Sequence, residues 1–290
     1  MFSRIKTIRQ AYDQFAAMLQ QRYDEHEARS ITGLVFEEVL GFDTIRLITD
    51  DKELLPASYF EQLDLLLHQL MEYKPVQYVL GKAFFYGLVF RVNEQVLIPR
   101  PETEELVQWI LQDLERDPRK GLRLLDIGTG SGCIPVTIKK NSPGTRVHTL
   151  DVSPGALRTA AENARRIGVD VHFTEADILQ TDTFDFAPLD VIVSNPPYVR
   201  HSEKATMGRN VLDYEPHLAL FVDDEDALLF YERIADVALK NLAPMGALYL
   251  EINEAKGEEV VEMLGRKGFT RVELRQDLPG KDRMVKARIS

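Results

Sequence analysis

Cysteine is nearly absent from this chain, and long apolar runs are missing altogether. The single cysteine among 290 residues, Cys133, excludes an internal disulfide and a cysteine-based metal site. No apolar run approaches the roughly 20 residues of a membrane-spanning helix. The first residues also lack the apolar core and cleavage site of a signal peptide. We therefore predict a cytoplasmic protein that does not associate with membranes.

Basic charge is also scarce. The chain has 46 Asp and Glu against 35 Lys and Arg, a formal net charge of -11. Binding to a phosphate backbone depends on clustered Lys and Arg, and no such cluster occurs. The six histidines show no spacing typical of metal ligands. The composition favours a basic protein partner over direct contact with nucleic acid, and it predicts no metal.

Glycine is scarce at the start of the chain, where Gly33 and Gly41 are the only two in residues 1–75. Three stretches there repeat apolar residues at helical spacing: IKTIRQAYDQFAAMLQQRY, HEARSITGLVFEEVLG and SYFEQLDLLLHQLMEY. Residues 1–75 are thus predicted to form a small helical bundle. Residues 76–102, rich in aromatic and β-branched residues, predict a β-hairpin linker. A helix near Thr103 follows, with Thr103 suited to capping it.

Strands and helices alternate over residues 103–290. Seven stretches read as strands: LRLLDIG, TRVHTLD, VDVHFTEAD, LDVIVSN, GALYLEIN, TRVELRQ and RMVKARI. Helical stretches lie between most of them, which predicts a mainly parallel sheet covered on both faces. The last two strands follow each other without a helix, so one of them should be antiparallel. The fold class is α/β, with a doubly wound, seven-stranded, Rossmann-like sheet and a small N-terminal helical domain.

A glycine-rich loop follows the first strand of this sheet in LLDIGTGSGCIPV. Gly128, Gly130 and Gly132 let the chain turn tightly and bring bare backbone against a ligand at a helix N-terminus. The dinucleotide fingerprint is G-x-G-x-x-G, but Cys133 occupies its third glycine position. The G-x-G-x-G spacing, with Asp126 ahead of it, favours S-adenosylmethionine over NAD. We expect Asp126 and the whole loop, including Thr129 and Ser131, to bind this cofactor.

Two further carboxylates follow the next two strands. Asp151 ends the second strand, where it is suited to accept both ribose hydroxyls. Asp177 follows the third strand, where it is suited to the adenine amino group. The carboxyl ends of parallel strands meet at one edge of a sheet, so these residues should converge on one cofactor site.

The fourth strand ends in the rigid segment Asn195-Pro196-Pro197-Tyr198. A planar nitrogen is a poor nucleophile, because its lone pair is delocalised. To be methylated, it needs acceptors that hold its hydrogens and aim the lone pair at the methyl group. The Asn195 side-chain oxygen and the Pro196 carbonyl are candidates, Pro197 stiffens the turn, and Tyr198 offers a face for stacking. We predict that Asn195, Pro196 and Tyr198 are catalytic, that all four residues bind substrate, and that Asn195 also contacts cofactor.

Several segments together resemble the HemK/PrmC family of release factor glutamine methyltransferases. They are PVQYVLG, FYGLVFRV, VLIPRPETEELV, LLDIGTGSGCI, VSNPPYV, DYEPHLAL and DLPGKDRMV. The resemblance implies methylation of the glutamine N5 in the Gly-Gly-Gln motif of class I release factors, with S-adenosylhomocysteine as product. It implies that the loop Gly128 to Gly132 and Asp151 bind cofactor and that Asn195 to Tyr198 form the glutamine site. We expect a monomer whose N-terminal helices bind the release factor.

The sequence departs from this family at two positions. Asn253 stands where relatives usually have glycine, and Thr183 where some have an aromatic residue. We expect both departures to affect cofactor affinity and neither to touch the Asn-Pro-Pro-Tyr chemistry. Arg100 and Glu102 either line the cofactor pocket or tie the linker to the catalytic domain, and we favour the tie.

Two alternative functions share these motifs. The first is a nucleic-acid methyltransferase that acts on an exocyclic amine of adenine or guanine and extrudes its target base. The lack of basic surface and the IPRPETE segment speak against it. The second is a cofactor-binding module without catalysis, which would have no need of Asn195 and both prolines.

Overall fold

The computed structural model describes residues 7–41, 44–49 and 52–289. By compactness it divides into two units, one holding the described residues up to Gly81 together with Gly208–Tyr214. The helices of this first unit are α1 (Ile8–Leu19), α2 (Glu25–Leu40), α3 (Thr44–Thr49), α4 (Phe60–Met71), α5 (Val76–Leu80) and, within the returning segment, α9 (Arg209–Leu212). The three predicted helices correspond to α1, α2 and α4. The short helix α5 was not predicted.

Local sequence signals start and stop the first two helices. Thr7 caps α1 through a reciprocal pair of hydrogen bonds with Gln10. Asp24 accepts a hydrogen bond from the Glu27 amide at the start of α2. Gly41 ends α2 in a left-handed conformation that favours glycine. Their apolar faces share one buried core with α4, formed by residues such as Phe15, Phe36 and Leu63.

The segment Gly208–Tyr214 returns to this helical unit from far along the chain. The Arg209 guanidinium carbon lies 4.8 Å from the centroid of the Tyr73 ring. The Tyr214 hydroxyl donates to the carbonyl oxygen of Glu72 at 2.9 Å. The unit is therefore built from two separate stretches of sequence.

The second unit begins with a hairpin of β1 (Lys82–Phe85) and β2 (Leu88–Arg91). Tyr86 and Gly87 form its two-residue turn with φ of 50° and 72°, the left-handed conformation that such tight turns require. Residues 76–102 were predicted as a β-hairpin linker. The hairpin lies within that range, and its Phe85 and Phe90 are buried in the core of the second unit, while the role as a linker stays a prediction.

The remaining elements of this unit alternate as the sequence predicts. The helices are α6 (Pro101–Arg116), α7 (Cys133–Asn141), α8 (Pro154–Ile167), α10 (Leu229–Asn241) and α11 (Gly257–Lys267). The strands are β3 (Arg123–Ile127), β4 (Arg146–Asp151), β5 (His172–Glu175), β6 (Leu189–Ser194), β7 (Val199–Arg200), β8 (Phe221–Val222), β9 (Leu242–Glu251), β10 (Thr270–Gln276) and β11 (Asp282–Arg288).

One seven-stranded sheet organises the unit, in the order β10-β11-β9-β6-β3-β4-β5. All neighbours are parallel except β11, which is antiparallel to both β9 and β10. The predicted fold class and the predicted antiparallel strand are confirmed. The order reverses between β3 and β6, and this is where ligands bind in open α/β sheets.

Two apolar cores cover the two faces of the sheet. Successive residues of a strand point to opposite faces, and Leu124 and Leu125 of β3 accordingly lie in different cores. Residues of α6, α7 and α8 fill one core, and residues of α10 and α11 fill the other. Within the described ranges, no helix has the length and apolar character needed to cross a membrane.

Candidate active site

A cavity of about 250 Å³ opens at the carboxyl edge of the sheet, where the strand order reverses. Of the residues predicted to form the site, seven line it: Gly128, Gly130, Asp151, Asp177, Asn195, Pro196 and Pro197. The other predicted residues lie outside the lining: Asp126, Thr129, Ser131, Gly132 and Tyr198. Their direct contact with cofactor or substrate stays a prediction.

The three glycines of the loop have different surroundings. All have positive φ, with 79° at Gly128, 53° at Gly130 and 80° at Gly132. A Cβ atom on Gly128 or Gly130 would meet nothing within 4 Å, whereas one on Gly132 would lie 2.9 Å from Cβ of Ala160. The first two glycines thus leave space beside the cavity for a ligand. The third allows the start of α7 to pack closely on α8.

Asp151 is held in place by backbone amides. Its Oδ2 atom accepts from Gly130 N and its Oδ1 atom accepts from Ser153 N, both at 2.9 Å. Burial raises the pKa of this carboxyl, and the amide donors oppose that shift. Because a carboxylate has about four acceptor sites, two remain for hydroxyl groups of a ligand.

Asp177 is oriented by its own turn. Its Oδ1 atom accepts from Leu179 N at 2.9 Å, and its Oδ2 atom accepts from Gln180 Nε2 at 2.8 Å. The side chain lies on the cavity wall with Ala176 and Ile178. A polar group among apolar neighbours suits a flat ring that carries an amino group.

Asp126 is fully buried at the end of β3, just before the glycine loop. Its Oδ2 atom accepts from Thr149 Oγ1 at 2.7 Å, but its Oδ1 atom has no hydrogen-bond partner among the residues that the structure describes. Burial raises the pKa of this carboxyl to about 7. An unpaired acceptor beside the loop fits a cofactor with a cationic ammonium group, as S-adenosylmethionine has.

Asn195 is held by a chain of side-chain hydrogen bonds. Its Nδ2 atom donates to Thr103 Oγ1 at 3.2 Å, and Thr103 Oγ1 donates to Glu251 Oε2 at 2.6 Å. A threonine hydroxyl has one hydrogen, so if it donates to the carboxylate it must accept from Asn195. This arrangement leaves the Asn195 Oδ1 atom as the acceptor available to a ligand.

Tyr198 has a different environment from the one predicted. Its hydroxyl donates to Glu251 Oε1 at 3.1 Å, and its ring packs against the core of the sheet. Burial raises the pKa of Tyr198, so it remains a protonated donor. The hydroxyl thus fixes the ring beside Asn195.

Asn253 contacts the Asn-Pro-Pro-Tyr segment, and its expected lack of effect on the chemistry there stays a prediction. Its Nδ2 atom donates to the carbonyl oxygen of Tyr198 at 3.1 Å. Its Oδ1 atom accepts from Ala255 N at 2.9 Å. Asn253 lies two residues after the end of β9, and its side chain reaches across to the loop that follows β6, which a glycine has no atoms to do.

Arg100 forms a partly buried ion pair. Its Nη2 atom lies 2.7 Å from Glu215 Oε1, and the Glu215 side chain is 1% exposed. Glu215 Oε2 also accepts from Ile98 N at 3.3 Å. Neither Arg100 nor Glu215 lines the cavity, although Pro216 does. The geometry favours the structural role for Arg100.

Sequence reasoning missed Glu251 and gave Thr103 a different role. The helix α6 begins at Pro101 with Arg100 as N-cap and no side-chain cap. Thr103 therefore lies inside the first turn and is free to reach Glu251. An available signal was the carboxylate of Glu251 at the end of the apolar run GALYL, where a buried charge needs partners.

Known proteins match both units. The Methyltransferase small domain family matches residues 105–214, and the PrmC N-terminal domain family matches residues 10–81. The release factor glutamine methyltransferase of Flavobacterium psychrophilum is 47% identical over 274 residues, 94% of this chain and 96% of that protein. The protein of the same name from Bacteroides thetaiotaomicron is 42% identical, over 93% of this chain and 95% of its own.

A solved structure supports the fold alone. The methyltransferase from Pyrococcus furiosus aligns with a TM-score of 0.50 and 17% identity, covering 79% of this chain and 98% of its own. With a methyltransferase domain matched on such a sheet, the protein is an S-adenosylmethionine-dependent methyltransferase, and the cofactor prediction is confirmed. Identity to its relatives across more than nine-tenths of its length shows that the chain belongs to the release factor glutamine methyltransferase family.

Proposed function

We propose that this protein methylates the side-chain amide nitrogen of the Gly-Gly-Gln glutamine in class I release factors. The relatives named above are called release factor glutamine methyltransferases. The observation in this chain that supports it is the amide orientation of Asn195. With Nδ2 bound to Thr103, the acceptor Oδ1 remains for a donor group of the substrate. A primary amide, which has two N–H hydrogens, is such a donor.

The chemistry requires positioning more than acid–base catalysis. S-adenosylmethionine, when bound, supplies a methyl group on a positively charged sulfur. Asn195 Oδ1 and the Pro196 carbonyl hold the two amide hydrogens, which turns the nitrogen lone pair towards the methyl group. The cofactor would give up the methyl group to this nitrogen, and its sulfur would keep the electrons of the broken S–C bond. The amide nitrogen then loses one proton to water, so no general base is needed.

The cofactor's parts match different groups at the cavity. The backbone of Gly128 and Gly130 would hold the methionine portion. Asp151 would accept the ribose hydroxyls with the acceptor sites that Gly130 and Ser153 leave open. Asp177 would face the adenine. Asp126 would act through charge, next to the loop.

The helical domain is the proposed recognition module for the release factor. We propose functional boundaries at residues 1–75 for recognition, 76–102 for the linker and 103–290 for catalysis. The net charge of -11 supports a basic partner surface. The same charge supports a protein that makes no direct contact with nucleic acid, and we further propose a cytoplasmic monomer. Charge reversal on the exposed faces of α1 and α2 should weaken binding of the release factor, measured by calorimetry; unchanged affinity would refute this role.

Mass spectrometry tests the proposed activity directly. The purified protein is incubated with S-adenosylmethionine and an unmethylated class I release factor, and tryptic peptides are mapped. We expect one added methyl group on the glutamine of Gly-Gly-Gln, and none on a release factor with alanine at that position. Methylation of RNA or DNA oligonucleotides instead would favour the nucleic-acid alternative. No transfer to any of these would leave only the cofactor-binding alternative.

A further inference from the structure

Glu251 is a buried carboxylate that the proposed chemistry does not use. It ends β9 and is 1% exposed. Among the described residues it has no ion-pair partner, because the nearby Arg283 pairs with Asp277 at 3.0 Å and with Glu254 at 3.1 Å. Burial of an unpaired carboxylate is costly, and burial raises the pKa of Glu251, a shift that the Thr103 and Tyr198 hydroxyls oppose. A carboxyl group that is buried at such a cost is expected to have a function.

The two hydrogen bonds of Glu251 lead to the two ends of the Asn-Pro-Pro-Tyr segment. Oε2 accepts from Thr103, which in turn accepts from Asn195, and Oε1 accepts from Tyr198. These contacts join three elements that are far apart in sequence, since Asn195 and Thr103 are 92 residues apart and Thr103 and Glu251 are 148 apart. One carboxylate therefore orients both side chains of the segment.

The direction of these bonds matters for the substrate. Thr103 Oγ1 donates its single hydrogen to Glu251 Oε2, so it accepts from the Asn195 amide. Without the hydroxyl, nothing in this chain of bonds distinguishes the two ends of the Asn195 amide. Rotation by 180° would then place the NH2 group where Oδ1 was. The site would lose an acceptor and gain a donor.

We infer that Thr103 and Glu251 are positioning residues that fix the amide orientation of Asn195 and thereby select a substrate amide over a carboxylate. This inference deepens the proposed function and rests on it for its substrate. A glutamine side chain has two donor hydrogens to offer to Asn195 Oδ1, whereas an ionised glutamate side chain has none and is repelled by the oxygen. The same contact therefore promotes reaction with glutamine and rejects glutamate.

The test variant is Thr103→Val, which has nearly the same shape as threonine but no hydroxyl, with Thr103→Ser as the matched control. Loss of the hydroxyl should lower kcat on the order of 100-fold, since small errors in position have effects of that size. The KM for S-adenosylmethionine should stay unchanged. Thr103→Ser, which keeps the hydroxyl, should restore kcat.

Discrimination between amide and carboxylate provides a second measurement. A release factor with Gly-Gly-Glu in place of Gly-Gly-Gln is added as a competitive inhibitor. It should inhibit Thr103→Val about tenfold more strongly than the unchanged protein. In the variant, the rotated Asn195 amide can donate a hydrogen bond to the glutamate carboxylate, whereas in the unchanged protein Asn195 Oδ1 repels it. A purely structural role of Thr103 would not alter this preference.

A spectroscopic measurement needs no substrate. The side-chain amide of Asn195, labelled with ¹⁵N and assigned by its loss in Asn195→Ala, should exchange its hydrogens with water slowly in the unchanged protein and in Thr103→Ser. Exchange should be about tenfold faster in Thr103→Val, because one hydrogen bond is lost. If Thr103→Val does not fold, Glu251→Gln serves in its place, since glutamine has one acceptor oxygen for two hydroxyl donors.

The outcomes separate this inference from the proposed function. Slow exchange that depends on the hydroxyl, in a protein that does not methylate release factors, would overturn the substrate and retain the positioning role. Unchanged exchange, unchanged kcat and unchanged discrimination in Thr103→Val would overturn the inference and leave the proposed function intact. A loss of kcat that Thr103→Ser fails to restore would also overturn it.

Discussion

Asp151 and Glu251 are two carboxylates at the same edge of the sheet, and they are held by different kinds of donor. Asp151 accepts from two backbone amides, of which the more distant in sequence, Gly130, is 21 residues away. Glu251 accepts from two side-chain hydroxyls, and one of them, on Thr103, is 148 residues away. We call the part of the cavity around Asp151 the cofactor side, and the part around Asn195, where the methyl-accepting amide is proposed to bind, the acceptor side. The cofactor side is thus built by backbone close in sequence. The acceptor side is built by side chains from distant segments.

The difference predicts how each side responds to substitution. The cofactor side depends on backbone conformation, so it should be sensitive to changes at its glycines. The acceptor side depends on individual hydrogen bonds, so the loss of one side-chain atom should be enough to impair it. Four predictions test this contrast.

The largest effect is expected at Asn195. Asn195→Ala removes the acceptor that holds the substrate amide, and the rate of methyl transfer should fall about 1000-fold. Folding should be preserved, as judged by thermal unfolding. Asn141→Ala, at an exposed asparagine ending α7, is the control and should keep full activity. Activity of Asn195→Ala close to that of the control would contradict the proposal that Asn195 Oδ1 holds the substrate amide.

The buried carboxyl on the cofactor side should make stability depend on pH. The pKa of Asp126 is about 7 when folded and 3.8 as its ordinary value, so the folded state binds the proton more tightly. Its contribution is fully present below about pH 4, and the unfolding free energy then falls by about 4 kcal/mol as the pH rises to about 7. Asp126→Asn cannot ionise and should lack this loss.

Urea unfolding at pH 5 and pH 8, without cofactor, measures this difference. The advantage of Asp126→Asn over the unchanged protein should grow with pH. An identical pH dependence for both would show that Asp126 titrates normally in the folded protein.

A smaller effect is expected for Asp151→Asn. The amide keeps one acceptor oxygen but places an NH2 group against a backbone N–H, so the loop loses a charged hydrogen bond worth about 2 kcal/mol. Affinity for S-adenosylmethionine, measured by calorimetry, should fall roughly 30-fold. The control is Glu175→Gln, since Glu175 pairs with Asp151 across the sheet but is exposed and outside the cavity lining. Equal losses in the two variants would contradict a specific role of Asp151.

The smallest expected effect is a difference in the free energy of unfolding between alanine variants of two loop glycines. Gly132→Ala and Gly128→Ala both place alanine at a φ near +80°, which strains the backbone equally. Only at Gly132 does the new Cβ also meet Ala160, at 2.9 Å. Gly132→Ala should therefore lower the free energy of unfolding by about 1 kcal/mol more, measured in urea. If Gly128→Ala were the more destabilised of the two, the assigned packing role of Gly132 would be wrong.

The sequence was informative where structure depends on local pattern. The seven strands and the antiparallel one near the end followed from apolar runs and the missing helix between them. The glycine loop and Asp151 were recognisable because each follows a strand directly. The cofactor half of the cavity is assembled from such local signals.

Distant pairings were beyond that reasoning. Thr103 read as a helix cap, because the first turn of a helix favours such residues, yet its hydroxyl bonds to Glu251. Asn253 was expected to affect cofactor affinity, and its hydrogen bond to the Tyr198 carbonyl was not predicted. Neither hydrogen bond is indicated by a repeating pattern in the sequence, because each depends on how two separate elements pack together.

The returning segment Gly208–Tyr214 limits how parts of this protein can be exchanged with those of a relative. The chain passes between the two units after residues 81, 207 and 214, so the helical unit is not a continuous N-terminal module. A fragment that starts at Lys82 would keep Arg209 and Tyr214 but lose Tyr73 and Glu72, their partners. A hybrid that takes its helical unit from a relative therefore needs two inherited pieces, the N-terminal helices and this short segment, from the same parent.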